Sequence, residues 1–152
     1  MSRERQDLLS RGALGVFRLN GQFLAVAEEL ARPAGLTAAW WQVLGAVLGE
    51  PLSVSGIARV MGITRQSVQR IADLLVEKGL AEYRPNPAHR RAKLLAPTEE
   101  GRAAVSRIGP GHAAFADRLA EAFGEAELAD AVRVLERMSK VLDQIAGPVT
   151  EP

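Results

Sequence analysis

The 152-residue sequence contains no cysteine. That absence removes disulfides, thiolate zinc sites, iron–sulfur clusters, thiol redox sensing and cysteine nucleophiles together. Histidine is nearly missing as well, with only His89 and His112. Neither lies in a His/Asp/Glu cluster at metal-binding spacing, and no Gly-rich phosphate loop is present, so nucleophilic and metal-assisted catalysis lack their parts. No catalytic residue, metal site or cofactor is expected. Nor is there an uninterrupted apolar run of about 18 residues, which excludes a transmembrane helix. The start, Met1-Ser2-Arg3-Glu4-Arg5-Gln6-Asp7, carries charges of both signs with no compact apolar stretch behind it, unlike a secretory signal. These features predict a cytoplasmic protein.

Charge of one sign is also scarce in the sum: the formal net charge is +1. The distribution is polarised nonetheless. Between Ser53 and Lys93 stand eight basic residues (Arg59, Arg65, Arg70, Lys78, Arg84, Arg90, Arg91, Lys93) and three acidic ones (Asp73, Glu77, Glu82), a net of +5 that leaves −4 for the two flanks. A basic centre between acidic flanks is expected where one region faces phosphates and the remainder keeps the chain soluble.

Apolar periodicity predicts a mainly helical chain. A first helix over Gln6 to Ala31 carries Leu9, Val16, Phe17, Phe23, Leu24 and Leu30 in an irregular stripe and stops before Arg32-Pro33, because proline disfavours helical geometry in the residue ahead of it. Thr37 caps a second helix, Ala38 to about Leu48, with Trp41, Leu44 and Leu48 on one side. Ser53 caps Val54 to Met61, with Ile57, Val60 and Met61 inward, and Gly62 closes it in left-handed geometry. Thr64 caps Arg65 to Lys78, which Gly79 ends. Short helix, glycine turn and second helix have the spacing of a helix-turn-helix. Beyond it, Leu80 to Arg84 and Arg91 to Leu95 read as strands around a proline-bounded tip, Pro85 to Arg90, in which Asn86 and His89 shape the turn. Thr98 caps a helix from Glu99 that Gly109-Pro110-Gly111 should kink or break. Helix resumes from His112 to Phe123, a last helix spans Glu125 to Ile145, and Gly147-Pro148 begins a frayed tail.

The helix after Thr64 carries the chemistry. At about 100° per residue, Val68, Ile71, Ala72 and Leu75 share an inward face. Opposite them lie Gln66, Gln69, Arg70, Asp73 and Glu77, with Arg65 and Ser67 flanking the first turn. Glutamine pairs bidentately with adenine and arginine with guanine in the major groove, and the first two turns of a recognition helix are the part that enters it. In the hairpin, Arg90 and Arg91 at the tip suit a narrow minor groove, whose negative potential attracts arginine. The competing reading of the same residues is a solvated helix face and a basic surface loop, as in a winged helix that serves only as a protein-interaction module.

From Leu36-Thr37 through Gln66, onward to Asn86-Pro87-Ala88-His89-Arg90-Arg91-Ala92-Lys93, and then Leu95-Ala96-Pro97-Thr98-Glu99-Glu100-Gly101, the sequence resembles the MarR-type (multiple antibiotic resistance regulator) winged-helix transcription factors. The strongest signal is the wing followed by Thr-Glu-Glu-Gly. The resemblance implies a winged helix-turn-helix over 36–97, with 1–35 and 98–152 supplying N- and C-terminal dimerisation helices. It further implies a homodimer that binds a pseudo-palindromic site in double-stranded DNA, usually as a repressor. The DNA-contacting set carried onto this chain is Ser53, Ser55, Thr64, Arg65, Gln66, Ser67, Gln69, Arg70, Arg90, Arg91 and Lys93. Regulators of this kind often bind a small aromatic or phenolic effector between the dimer helices and the winged helix, which here points to Phe17, Trp40, Trp41 and His112.

Two departures stand out. The wing commonly carries Asp-x-Arg where this chain has His89-Arg90-Arg91, so the acidic partner of the structural arginine is missing and Arg90 becomes the candidate for the groove. Gly109-Pro110-Gly111 interrupts a helix that such proteins often keep continuous. The apolar stripes of the first and last helices independently predict a dimer, because a thin winged helix cannot cover them.

Overall fold

The computed structural model describes residues 2–147; the remainder of the predicted tail, from Pro148 on, lies outside the described residues. In chain order the elements are α1 (Ser2–Ala31), a 3-10 turn (Arg32–Ala34), α2 (Ala38–Val47), β1 (Leu52–Ser53), α3 (Val54–Met61), α4 (Arg65–Glu77), β2 (Ala81–Arg84), β3 (Leu94–Pro97), α5 (Glu99–Phe123) and α6 (Glu125–Ala146). The architecture is a mainly helical winged helix with a small antiparallel sheet.

Four hydroxyls begin four of the helices. Thr37, Ser53, Thr64 and Thr98 each accept a hydrogen bond from the backbone N–H three residues on, at 3.0 to 3.2 Å (Trp40, Gly56, Ser67 and Gly101). Each satisfies one amide that the first helical turn leaves without a partner. Gly62 ends α3 at φ 69°, a left-handed conformation that costs a residue with a Cβ and lets the chain reverse tightly into α4.

The core lies where α2, α3, α4 and the sheet meet the start of α5. Leu44, Ile57, Leu75 and Leu95 are its largest fully buried side chains, with Val43, Val47 and Val68 between them. Burying each of the larger ones contributes about 1.5–3 kcal/mol. On α4 the inward face is the expected one: Val68, Ala72 and Leu75 are buried and Ile71 half-buried. On α3 the expectation fails at Val60, which is 69% exposed. Ile57 and Ala58 take the inner face, and Val60 lies about 100° from its centre.

The sheet differs from expectation in two respects. A third, two-residue strand, β1, pairs with β3 (Leu52 with Leu95, Ser53 with Leu94), giving the order β1-β3-β2. The returning strand runs from Leu94 to Pro97 rather than from Arg91 to Leu95, because Ala81 pairs with Pro97 and Arg84 with Leu94. That register places the apolar Leu95, Ala96 and Pro97 in the core and releases Arg91 and Lys93 into the loop. The wing tip therefore spans 85–93.

The structure also corrects two helix boundaries. The first helix starts at Ser2, where Arg3, Glu4, Arg5 and Gln6 already suit helical backbone. The helix from Glu99 runs unbroken through Pro110 to Phe123. Proline removes a single backbone donor there, while the flanking segment is held by tertiary contact: a Cβ on Gly111 would touch Leu30 at 3.4 Å, and Ile108 is buried one turn earlier.

Candidate nucleic-acid interface

The polar N-terminal part of α4 and the basic wing tip face each other across an open cleft of about 800 Å³. The caps build its floor. Thr64 starts α4 with its hydroxyl oxygen 3.2 Å from the Ser67 amide and donates its own proton to Ser67 Oγ at 3.0 Å, which holds the first turn in place. Ser53, at the end of β1, caps α3 on the facing wall. Among the predicted contact residues, Ser53, Ser55, Thr64, Arg65, Gln66, Gln69, Arg91 and Lys93 line this single cleft. Ser67, Arg70 and Arg90 do not. Ser67 is half-buried in the cap, Arg70 is exposed one turn beyond Gln66 on the outer face of α4, and Arg90 is exposed on the wing.

The wing tip is shaped by Asn86, whose side-chain Oδ1 accepts from the Ala88 amide at 3.0 Å and whose carbonyl accepts from His89 N–H at 3.1 Å. This Asx turn swings His89, Arg91 and Lys93 toward α4. Arg91 is exposed, and both it and His89 line the cleft. On β2, Glu82 accepts from Arg84 at 2.8 Å, an exposed pair that adds little stability.

Tyr83 is the residue that sequence reasoning missed. It projects from β2 into the cleft and donates a hydrogen bond to Asp73 Oδ1 at 2.5 Å. Gln69 Nε2 donates to both Tyr83 Oη, at 2.9 Å, and Asp73 Oδ1, at 3.0 Å. Partial burial, and then the hydrogen bond to and charge of Asp73, push the phenol up from 10.0 to about 12. Helix α4 and the wing strand β2 are thus joined by side chains as well as by backbone. The tyrosine on a strand following the helix was visible, but its pairing with a carboxylate ten residues earlier was not.

A second, smaller cleft of about 310 Å³ lies between α1 and α2, lined by Asn20, Phe23, Leu24, Ala27, Trp41, Gln42 and Gly45. Of the four residues expected around an effector, Trp41 lines it. His112 meets the Trp41 ring edge-on, with centroids 5.5 Å apart. Trp40 and Trp41 both pack against the core, but Trp40 does not line this cleft, and Phe17 stands 70% exposed farther along α1. Phe23 takes the place in the cleft that Phe17 was expected to hold. No group of three or more His, Asp or Glu gathers to hold a metal ion among the described residues, and no helix there is long and apolar enough to cross a membrane.

Helix, glycine turn, recognition helix and basic wing, meeting in one polar cleft, define a winged-helix transcription regulator. The family model described as MarR family matches residues 34–92. An uncharacterized protein of Mycobacterium tuberculosis is 41% identical over 132 residues, which cover 87% of this chain and 92% of that one. The chain belongs to the MarR family. Among solved structures it is similar to the transcriptional repressor CouR bound to a 23-mer DNA duplex (26% identity, TM-score 0.74, covering 82% of this chain and 89% of that one). It is likewise similar to CouR from Rhodococcus jostii bound to p-coumaroyl-CoA (27% identity, TM-score 0.63, 90% and 92% covered).

Proposed function

We propose that this regulator is a homodimeric repressor that reads a pseudo-palindromic operator through α4 and the wing and is released by a small aromatic effector. The observation that carries the reading is the cleft itself, in which three basic side chains, two glutamine amides and helix-capping hydroxyls converge. Arginine and lysine supply the sequence-independent phosphate term, glutamine and arginine the base-edge contacts. The DNA-bound CouR structure supports the same use of the fold. Residues 36–97 form the reading head, while 1–35 and 98–152 hold two copies together.

Dimerisation is supported by what the single chain leaves uncovered. Helix α6 has no buried residue among those described, although Val132, Leu135, Met138, Leu142 and Ile145 repeat at steps of three and four; Ile145 is 77% exposed. In α1 only Ala31 is buried, and Leu8, Leu9, Leu14 and Phe17 face solvent. A second copy of the chain covers both stripes and sets two recognition helices roughly 34–36 Å apart. The effector site is the cleft between α1 and α2, where Trp41 and Phe23 offer aromatic walls and Asn20 and Gln42 polar ends. A coenzyme-A thioester of an aromatic acid occupies the CouR relative.

Selection of bound duplexes from a random pool with the full chain tests the reading. It should recover a two-fold palindrome with half-sites about one helical turn apart. Enrichment of no sequence would return the winged helix to a protein-interaction role. Sedimentation at micromolar concentration should give two chains per particle, and a monomer would remove the dimer.

A further inference from the structure

His89 stands among the cations of the cleft between α4 and the wing with its imidazole uncommitted. Its backbone N–H is tied to the Asn86 carbonyl at 3.1 Å, and the Asn86 side chain completes the turn on the Ala88 amide at 3.0 Å. The turn is held by backbone and by Asn86, so the His89 side chain takes no part in it. Among the described residues the ring makes no hydrogen bond or ion pair, and His89 is exposed. The charged residues that line the cleft with it are all cations: Arg65 on α4, and Arg91 and Lys93 on the wing. Ser53 and Ser55 stand on the α3 side, and Tyr83 on β2 is a neutral phenol hydrogen-bonded to Asp73. Glu82, at the base of the wing, is paired with Arg84. No acidic residue lines the cleft, so the free chain offers the imidazole no carboxylate there.

We propose that His89 is a further DNA contact of the wing, an imidazolium that binds backbone phosphate, so that each reading head takes up a proton from solvent when it binds DNA. The inference rests on the reading of the cleft as the DNA interface. Imidazolium has two N–H donors and no acceptor, whereas the neutral ring has one of each. A phosphate oxygen only accepts, and a charge-assisted hydrogen bond is about twice as strong as a neutral one, so DNA favours the charged ring. Arginine and lysine side chains keep their charge from pH 6 to 8, while histidine changes its own between pH 5 and 8. By linkage, what DNA does for the proton the proton does for DNA. Phosphate rather than a base edge is the partner because reading a base needs a ring in one fixed orientation, and no side chain fixes this one. Phosphates position the protein without carrying sequence.

Equilibrium binding of the full-length wild type, His89→Gln, His89→Arg and His112→Gln to the selected and a scrambled duplex, at pH 6 and pH 8 and constant ionic strength, tests this. Wild-type affinity should rise about fivefold per reading head from pH 8 to pH 6, by the same factor on both duplexes. The slope of log affinity against log salt should steepen at pH 6 by up to about 0.9 per reading head. His89→Gln should bind at both pH values as the wild type does at pH 8, and His89→Arg at both at least as tightly as the wild type at pH 6. His112→Gln, altered on α5 away from the cleft, should keep the rise. The proposal is overturned if wild-type affinity changes less than about twofold, if His89→Gln keeps the rise, or if His112→Gln abolishes it. A rise confined to the selected duplex overturns the phosphate contact in favour of a base contact. All of these results leave DNA reading intact. Equal affinity of the wild type for both duplexes at each pH defeats sequence reading instead, and a His89-dependent rise would then still establish the phosphate contact. Binding of neither duplex defeats both.

Discussion

The carbonyl oxygen of Leu80 lies 2.0 Å from where a Cβ on residue 101 would stand, so Gly101 is the only residue type that lets α5 begin against the start of the wing. Beside it, Thr98 Oγ1 accepts from the Gly101 amide at 3.1 Å and donates to the Gly79 carbonyl at 2.7 Å. The Thr-Glu-Glu-Gly segment therefore does two jobs: it caps α5 and ties that helix to the end of α4. Through this joint, the start of α5 is hydrogen-bonded to the turn that ends α4.

Gly101→Ala should destabilise the fold by about 1–3 kcal/mol, because the intruding methyl meets backbone rather than a flexible side chain. Gly45→Ala, in α2 with nothing within 4 Å of its Cβ position, should instead stabilise by about 0.5–1 kcal/mol. Denaturant unfolding of both variants checks the contrast.

Loss of the α4 cap should be felt twice. Thr64→Ala removes the acceptor of the Ser67 amide and the donor to Ser67 Oγ, and should cost about 1 kcal/mol. Its DNA affinity should fall further than stability alone explains, since the first turn of α4 lines the cleft. Thr64→Ser should restore both, as measured by chemical denaturation and by binding to the selected duplex.

Tyr83 is the sole tyrosine, so its phenolate absorbance reports one group. In the folded protein the midpoint should lie near about 12 rather than 10.0. Because the folded value is raised, the neutral phenol contributes stability that is fully present below pH 10 and is lost as pH climbs toward about 12. Asp73→Asn should bring the midpoint part of the way down, since burial, the larger cause, persists. A wild-type midpoint at 10.0 would show that the Tyr83–Asp73 contact is not made in solution.

How much of this was legible in the sequence follows from range. The caps at Thr37, Ser53, Thr64 and Thr98, the turn at Gly62 and the inward face of α4 depend on residues three or four apart, and each was readable. Strand β1 depends on pairing with a strand some 40 residues on, the shifted register of β3 on its pairing with β2, and the continuity of α5 through Pro110 on packing against α1, where local propensity is overridden. The site divides the same way. The polar face of α4 and the basic wing were visible as composition, whereas the Gln69–Tyr83–Asp73 cluster required the sheet to carry Tyr83 back over α4.

Arg70 and Arg90 should separate base reading from phosphate attraction. Arg70→Ala, on the outer face of α4, should relax preference at one operator position by about 1–3 kcal/mol. Arg90→Ala, on the wing, should weaken selected and random duplexes alike and lower the salt slope by about one. Equal loss on both duplexes for the Arg70 variant would count against its base-reading role.

The central claim is that the α4–wing cleft reads DNA by sequence. Equilibrium binding of the full chain to the selected duplex and to a scrambled one, across a salt series, tests it most directly. Affinity for both should fall steeply with salt as counterions are released, and the selected duplex should stay at least about 10³-fold tighter throughout. Affinity that ignores salt, or that is equal for the two duplexes, would contradict it.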